Sequence, residues 1–357
     1  RVGAYTSPHL LRFNERITLD GAPAADGAIV RAFEAIEAAR GTISLSYFET
    51  ATLAALWLFR EARVDLAVLE VGLGGRLDAT NILDADVAVL TRIGLDHREW
   101  LGDTVEAIAI EKAGIARRGQ AVVLAERRYP ATLETALAAA GARPLRAGRE
   151  WSWTPGAGEL AVTGASGRRC IVPLPDALEP ANVAAAICAI DQLLPLAPGA
   201  VEQALRDLVL PGRRERRRLG SGELWLDVAH NPAAARGLAG ALGRARAGAT
   251  HGLCAIMGDK DLAAILAVLA PELDSLVVCG LPESPRAASV DRLATVAMTA
   301  GVAAVHRARD LDAGWRMLAP RVAAGVRGVV FGSFLTVAGI MPQLANPGTE
   351  EPACARG

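Results

Sequence analysis

The sequence predicts an α/β protein of two domains, the first with a parallel-rich sheet and the second a smaller Rossmann-like unit. Three observations carry that prediction. Short apolar runs recur between helical stretches along the whole chain. Polar or glycine-rich residues follow the carboxyl end of several of these runs, where open α/β sheets place their ligands. A Pro211-Gly212 break separates one such series from the next. At 357 residues, with 52% hydrophobic and 22% charged residues, the chain is long enough to build two cores.

The first run, Val2 to Tyr5, reads as a short strand, and Ser7 just beyond it is a candidate for the ligand edge. Residues 28–40 are helical by periodicity. Ser46 followed by Glu49 three positions later is a capping-box pattern opening a second helix to about Arg63. That pattern accounts for both residues, while the aromatic pair Tyr47-Phe48 offers a platform for a flat heterocycle.

Leu66 to Leu69 reads as a buried parallel strand that ends in Glu70 and breaks into the loop Gly72-Leu73-Gly74-Gly75. There Glu70 is placed to hold a metal ion, Arg76 to meet an anion, and the glycines to let backbone approach a ligand. A helix-capping Glu with glycines serving only a turn is the structural alternative. Residues 86–91 form another buried strand, ending near Asp96-His97. Ser7, Glu70 and His97 therefore all follow apolar strands, and one parallel sheet would gather them at one edge. A helix through Glu111-Lys112, a strand at 120–125 and a helix near 131–141 continue the alternation. Residues 150–173, with Trp151, Trp153, Pro155 and several glycines, suggest a small β excursion. Asn182 sits near the start of a helix running to about Leu194, where capping is its default role.

Beyond the Pro-Gly break, strands are expected at about 223–228, 252–257, 275–280, 302–306 and 328–332. The basic run from Arg213 to Arg218 reads as a solvated face, with Arg213 singled out by its place on the hinge at 208–213. Asp227, His230 and Asn231 follow the first of these strands, and Asp259-Lys260-Asp261 the second. The domains are expected at 1–210 and 211–345, with a disordered tail at 346–357.

Net charge of −1 supplies no field for nucleic acid or an acidic membrane, and no apolar run approaches the roughly 20 residues of a membrane span. Small molecules are the expected partners. The five cysteines are scattered without CxxC pairing and read as reduced thiols of a cytoplasmic protein. Of 38 basic residues only Lys112 and Lys260 are lysines. A lysine retained in so arginine-rich a chain points to chemistry that a guanidinium cannot do, because only an amine loses its proton to become a nucleophile or a carbamate.

Taken in order, Ser7-Pro8-His9, Ser46-Tyr-Phe-Glu49, Glu70 to Asn81, Leu95-Asp-His97, Glu111-Lys-Ala-Gly114, Pro211-Gly-Arg213, Asp227 to Pro232, Asp259-Lys-Asp261 and Gly332-Ser-Phe334 resemble the landmarks of dihydrofolate synthase/folylpolyglutamate synthase, a branch of the Mur ligase superfamily. The resemblance runs from Arg1 to about Met341. It implies ATP-dependent amide formation between a pterin-linked carboxylate, in dihydropteroate or folylglutamates, and the amine of L-glutamate. It further implies that Ser7, Glu70 and His97 coordinate Mg²⁺, and that Lys112 is the lysine that family members carbamylate. Asn182, Arg213 and Asp227 would contact ATP. Ser46, Tyr47, Phe48 and Glu49, with Arg76, Leu77 and Asp78, would line the pterin site, and His97, Lys112, Asp227 and His230 would serve the chemistry. Members of this type usually act as monomers. The glycine-rich phosphate loop of the family, GxxxxGK[ST], occurs nowhere in the sequence, which opens where the relatives' second strand would be. That departure leads to the expectation of an N-terminally truncated ligase with little activity. The alternatives are a non-catalytic pterin- or folate-binding protein, and a Mur-type ligase for another carboxylate. Leu335 stands where relatives often carry His.

Overall fold

The computed structural model describes residues 1–245 and 248–344, and the chain separates into two compact units. Unit 1 comprises Arg1–Pro175 with Pro180–Asp207, and unit 2 comprises Asp176–Glu179 with the chain from Leu208 onward. The expected tail at 346–357 lies outside the described residues. No helix among those described is long and apolar enough to cross a membrane.

Unit 1 begins with strands β1 (Val2–Tyr5), β2 (Ile17–Leu19) and β3 (Ala22–Pro23), then helices α1 (Asp26–Arg40) and α2 (Tyr47–Ala62) and strand β4 (Leu66–Leu69). These form a sheet ordered β3-β2-β1-β4, in which β1 and β4 are parallel and Tyr5 pairs with Leu69. Helices α1 and α2 close over it through Ala32, Ala54, Ala55, Leu58 and Phe59, which meet the fully buried Tyr5 and Ile17.

The chain continues through β5 (Val87–Leu90), α3 (Arg98–Leu101), α4 (Val105–Ala113), β6 (Ala121–Leu124), α5 (Ala131–Ala139) and β7 (Arg143–Arg146). The three strands make a separate parallel sheet in the order β5-β6-β7. Its core joins Ala88, Leu90, Val122 and Leu124 to Ala109, Ala113, Leu133 and Leu137 from α4 and α5. The β excursion is a three-stranded antiparallel meander, β8 (Ser152–Pro155), β9 (Glu159–Thr163) and β10 (Arg169–Pro173), followed by α6 (Pro180–Asp191) and α7 (Pro198–Asp207).

Two expectations are corrected here. Leu66 to Leu69 is a strand, but Ala67 and Val68 are exposed, because β4 is the last strand of its sheet. An apolar run predicts burial on both faces only where neighbours cover both. Likewise, Ser7 and Glu70 follow adjacent hydrogen-bonded strands, whereas His97 follows β5 of another sheet. Strand pairing unites two of the three groups, not all of them.

Unit 2 comprises β11 (Glu215–Leu219), β12 (Gly222–Asp227), α8 (Pro232–Arg244), β13 (Thr250–Cys254), α9 (Leu262–Leu269), β14 (Ser275–Cys279), α10 (Val290–Thr299), β15 (Val305–Ala308), α11 (Leu311–Ala323), β16 (Arg327–Phe331) and α12 (Phe334–Ile340). The six strands lie in the order β11-β12-β16-β13-β14-β15, parallel except for β11. The late strand β16 slots between β12 and β13, which makes the carboxyl edge beside it the topological switch point of this sheet. Residues 215–218 of the basic run are an edge strand rather than a plain solvated face: Glu215 is buried, and the Arg216 guanidinium lies 4.3 Å from the centre of the Trp225 ring. Alternation of outward cations with inward groups is strand periodicity, which so many arginines conceal.

Candidate active site

The loop after β4 is bound to the carboxyl end of α4. Arg76 donates its backbone N–H to the Glu111 carbonyl at 2.9 Å and its Nε and Nη2 to Glu111 Oε1 at 3.0 and 2.9 Å. Asn81 Nδ2 donates to the carbonyls of Arg76 and Gly114, both at 3.1 Å. Gly114 lets the two segments touch, since a β-carbon there would stand 2.4 Å from Arg76 Cβ. The anion that Arg76 meets is therefore the chain's own Glu111. Asp78 is a loop builder: Oδ2 accepts the N–H groups of Gly72 and Leu73 at 3.0 Å, and Oδ1 accepts Thr80 N–H at 2.9 Å and the Thr80 hydroxyl at 2.7 Å.

A cavity of about 380 Å³ opens beside this loop, lined by Glu49, Thr52, Leu53, Arg76, Leu77, Asp78, Asn81 and Ile82. Leu77 is 80% exposed at its rim. The capping box at the start of α2 forms as expected, with Ser46 N–H donating to Glu49 Oε2 at 2.6 Å and Glu49 N–H to Ser46 Oγ at 3.3 Å. Phe48 packs towards the core, its ring 5.8 Å from Tyr5, while Tyr47 is exposed beneath the Arg16 guanidinium.

Ser7 and Glu70 meet directly, Ser7 N–H donating to Glu70 Oε2 at 2.8 Å, and Glu70 is anchored by its own N–H to the Tyr5 carbonyl. His97 caps the amino end of α3 in a left-handed conformation, φ 52°. Among the described residues no three His, Cys, Asp or Glu side chains converge as a metal nest. Ser7 and Glu70 are in contact, a hydroxyl beside a carboxylate of the kind a divalent cation takes, while His97 stands on the loop after β5 of the other sheet. Lys112, in the last turn of α4, is half buried, and burial holds its amine below the usual lysine range against the opposing Asp96 carboxylate. That sensitivity to Asp96 places Lys112 by the loop that carries His97.

In unit 1, Asn182 is exposed in the first turn of α6. In unit 2, Asp227 ends β12 with both oxygens engaged: Oδ1 accepts Ala229 N–H at 2.7 Å and Oδ2 accepts Arg214 N–H at 3.0 Å. It thereby fastens the 212–214 turn, where Arg214 holds φ 48° and donates to Glu179 at 2.7 Å. Burial raises the Asp227 pKa, opposed by those two N–H groups and by the guanidinium groups of Arg213 and Arg214. His230 holds its Nδ1 2.9 Å from the Val228 carbonyl. A carbonyl only accepts, so Nδ1 carries a proton.

A Mur ligase, glutamate ligase domain model matches residues 212–334. The dihydrofolate synthase/folylpolyglutamate synthase of Escherichia coli (strain K12) is 41% identical over 295 residues, covering 82% of this chain and 69% of the relative. The chain belongs to the dihydrofolate synthase/folylpolyglutamate synthase family. The Mycobacterium tuberculosis (strain ATCC 25618 / H37Rv) member is 35% identical over 339 residues, covering 83% of this chain and 68% of that protein. A solved structure of E. coli FolC in complex with DHPP and ADP superposes with a TM-score of 0.89 at 37% identity, covering 96% of this chain and 81% of that one. The bifunctional enzyme from Yersinia pestis complexed with AMPPNP and Mn ion gives 0.88 at 39% identity, covering 96% and 82%.

Within this family member, sequence reasoning passed over Glu111 as the partner of Arg76 and left Phe334 as a landmark without a role. The Phe334 ring carries the Arg213 guanidinium 5.0 Å from its centre and lies 6.1 Å from the His230 ring. Its signal was available: a Gly-Ser-aromatic sequence directly after a strand that could be read as parallel to 223–228. Lys260 is nearly buried beside Asp259 at 3.5 Å, and Asp259 also faces Arg286 at 3.6 Å.

Proposed function

We propose that this chain joins L-glutamate to the carboxylate of dihydropteroate and of folylglutamates, driven by ATP. As a member of its family it is an ATP-dependent glutamate ligase of folate metabolism. The observation that carries the residue-level reading is the zipping of the 70–81 loop onto the helix that bears Lys112, beside the Ser7–Glu70 pair and the cavity of about 380 Å³.

In this reading the cavity takes the pterin, with Leu77 and Ile82 against its ring, Glu49 and Arg76 at its polar edge and Asp78 in its wall, while Ser46, Tyr47 and Phe48 open the helix that carries Glu49 and do not line the cavity themselves. Ser7, Glu70 and His97 would hold Mg²⁺, which neutralises phosphate oxygens and polarises the γ-phosphoryl group for transfer to the substrate carboxylate. The half-buried amine of Lys112 is neutral more often than an exposed one and can therefore take up CO₂ as a carbamate, an acidic oxygen ligand that arginine could not form. Asn182 and Arg213 would contact ATP. Asp227 acts on the nucleotide through the turn it fastens rather than by reaching for it. Glutamate's amine must lose a proton as it attacks the activated carboxyl carbon, and His230, its Nδ1 turned to the Val228 carbonyl, is the residue read as serving that step. The reading takes the protein as a cytoplasmic monomer acting on small molecules, without nucleic acid or membrane.

The test is ligation of radiolabelled glutamate to dihydropteroate and to a folylglutamate, with and without ATP and Mg²⁺, alongside ¹³C NMR in labelled bicarbonate. A carbamate resonance lost in Lys112→Arg, with ligation falling at least about 100-fold, is expected for a metal-site ligand. Ligand binding without ATP-dependent ligation would instead favour the non-catalytic binding protein, and full ligation in Lys112→Arg would remove Lys112 from the mechanism.

A further inference from the structure

In unit 1 the loop between β1 and β2 closes on a buried cation. Arg16 is 8% exposed, and its carbonyl accepts the Thr6 N–H at 2.9 Å, which turns the segment carrying Ser7 back on itself. The guanidinium donates through Nε to His9 Nδ1 at 2.8 Å, lies against the Tyr5 hydroxyl, and stands 5.3 Å from the centre of the Tyr47 ring. None of these three neighbours carries a negative charge, and among the described residues Arg16 forms no ion pair. The acids nearest in sequence are committed elsewhere. Glu15 accepts the N–H groups of Leu10, Leu11 and Arg12 at 2.7, 2.9 and 2.7 Å. Asp26 takes Arg12 Nη2 at 3.0 Å and Asn14 Nδ2 at 2.7 Å.

A buried guanidinium is ordinarily accompanied by a carboxylate, because neutral acceptors satisfy its N–H groups but leave its charge unanswered. Arginine can only donate, so His9 Nδ1 keeps its lone pair towards Arg16 Nε and the ring proton sits on Nε2, a further donor. Position indicates which anion would complete the set. Thr52 lines the cavity of about 380 Å³, and its Oγ1 is 3.4 Å from the Tyr5 oxygen that Arg16 meets. Arg16 therefore lies behind one wall of that cavity, separated from it by Tyr5. On another side it is covered by Tyr47, a ring 61% exposed at the start of the helix that carries Glu49 and Thr52. Arg76, the cation in the cavity lining, is already paired with Glu111 and has less charge to offer an anionic ligand.

We propose that Arg16, with the His9 Nε2–H beside it, binds a carboxylate of the pterin-linked substrate, reached when the exposed Tyr47 ring turns aside. The inference rests on the reading of the cavity of about 380 Å³ as the pterin site. Free L-glutamate offers the same chemical group, but the place of Arg16 behind the wall of that cavity favours the pterin-linked acid. A purely structural arginine has its counter-charge built in, whereas here the counter-charge arrives with the ligand.

The experiment compares wild type with Arg16→Met, which keeps an unbranched side chain and removes the charge. It reads equilibrium binding of dihydropteroate, of a pterin fragment without the carboxylate, and of L-glutamate, together with the melting temperature of the ligand-free chain. Arg16→Met should weaken dihydropteroate binding at least about 10-fold and leave the fragment and L-glutamate within about 2-fold of wild type. Its melting temperature should equal or exceed that of wild type, because a buried charge without a partner has gone. Dihydropteroate and fragment weakened alike, with a lowered melting temperature, would make Arg16 a structural residue and overturn the proposal. Weakened L-glutamate binding beside unaltered dihydropteroate binding would assign the carboxylate to the free amino acid and overturn it too. Where Arg16→Met does not fold, Arg16→Gln repeats the comparison. Wild type that binds neither dihydropteroate nor the fragment would retract the pterin reading of the cavity and the proposal with it. Wild-type binding of both, matched by the variant, would retract the proposal alone.

Discussion

Substituting alanine at Gly114 sets a favourable backbone change against a collision, and the collision should win. Gly114 has φ −63° and ψ −6°, an ordinary helical conformation, so alanine would by itself stabilise the fold by about 0.4–1 kcal/mol through the unfolded chain. The new β-carbon would stand 2.4 Å from Arg76 Cβ and 2.6 Å from Arg76 Cα, and the second of these is backbone that cannot swing aside. Overpacking of this kind costs about 1–3 kcal/mol. Relief by separation breaks the Arg76 N–H to Glu111 carbonyl bond and the Asn81 bond to the Gly114 carbonyl, at roughly 1 kcal/mol each. The Arg76–Glu111 ion pair adds less than about 1 kcal/mol, because half of the Arg76 side chain is in water. Strain and separation are alternative responses, so the balance is about 1–2.5 kcal/mol against the closed loop. Because a two-unit chain need not unfold in one step, the assay is hydrogen exchange at the amides of Gly72, Leu73 and Arg76. Exchange there should accelerate on the order of 10-fold or more, with ligation falling in parallel as Lys112 loses its setting. Exchange within a factor of about 3 of wild type and unchanged ligation would refute the claim that loop and helix form one piece.

Gly332 has φ 117°, and a β-carbon there would lie 2.7 Å from the Ala255 carbonyl, so Gly332→Ala should destabilise unit 2 by about 2–4 kcal/mol in denaturant titration. Tyr129, its pKa pushed up to about 12 by burial, donates to the Leu90 carbonyl at 2.7 Å and accepts the Glu126 N–H at 3.0 Å. Tyr129→Phe should therefore cost about 1–3 kcal/mol and increase exchange in the 91–97 loop. Burial raises the pKa of Asp227, so the folded chain takes up this proton more readily than the unfolded one. The resulting stability is complete below the ordinary value of 3.8 and is lost as pH rises through the raised folded value. Asp227→Asn, which cannot titrate, should lack that loss when denaturation is measured upward from about pH 4, and should impair ligation by loosening the turn that carries Arg213. Wild-type ligation kinetics in that variant would take Asp227 out of the mechanism.

Much of the site could be read from sequence because the chemistry is punctuated by strand ends. Glu70, His97, Asp227 and His230 each follow an apolar run, and local periodicity suffices to find such runs. The same holds for the capping box of Ser46 and Glu49 and for the Pro-Gly break. Strands β2 and β3 and helix α7 escaped notice because their sequences are short or mixed in polarity. The edge strand β11 was hidden by its arginines.

What sequence by itself determined was the alternation of elements, the positions where polar groups meet strand ends, and through ordered motifs the family. Tertiary structure alone decided who meets whom. Arg76 reads as an anion contact until Glu111, 35 residues away, is found to occupy it. Asp78 and Asp227 read as ligand groups until their oxygens are seen accepting backbone N–H groups. Phe334 acquires meaning only when β16 is inserted beside β12 and brings its ring to Arg213 and His230. The reason is physical: propensity, capping and periodicity act over a few residues, whereas the partner of a charge or a ring is set by strand order and crossover, which no local pattern encodes.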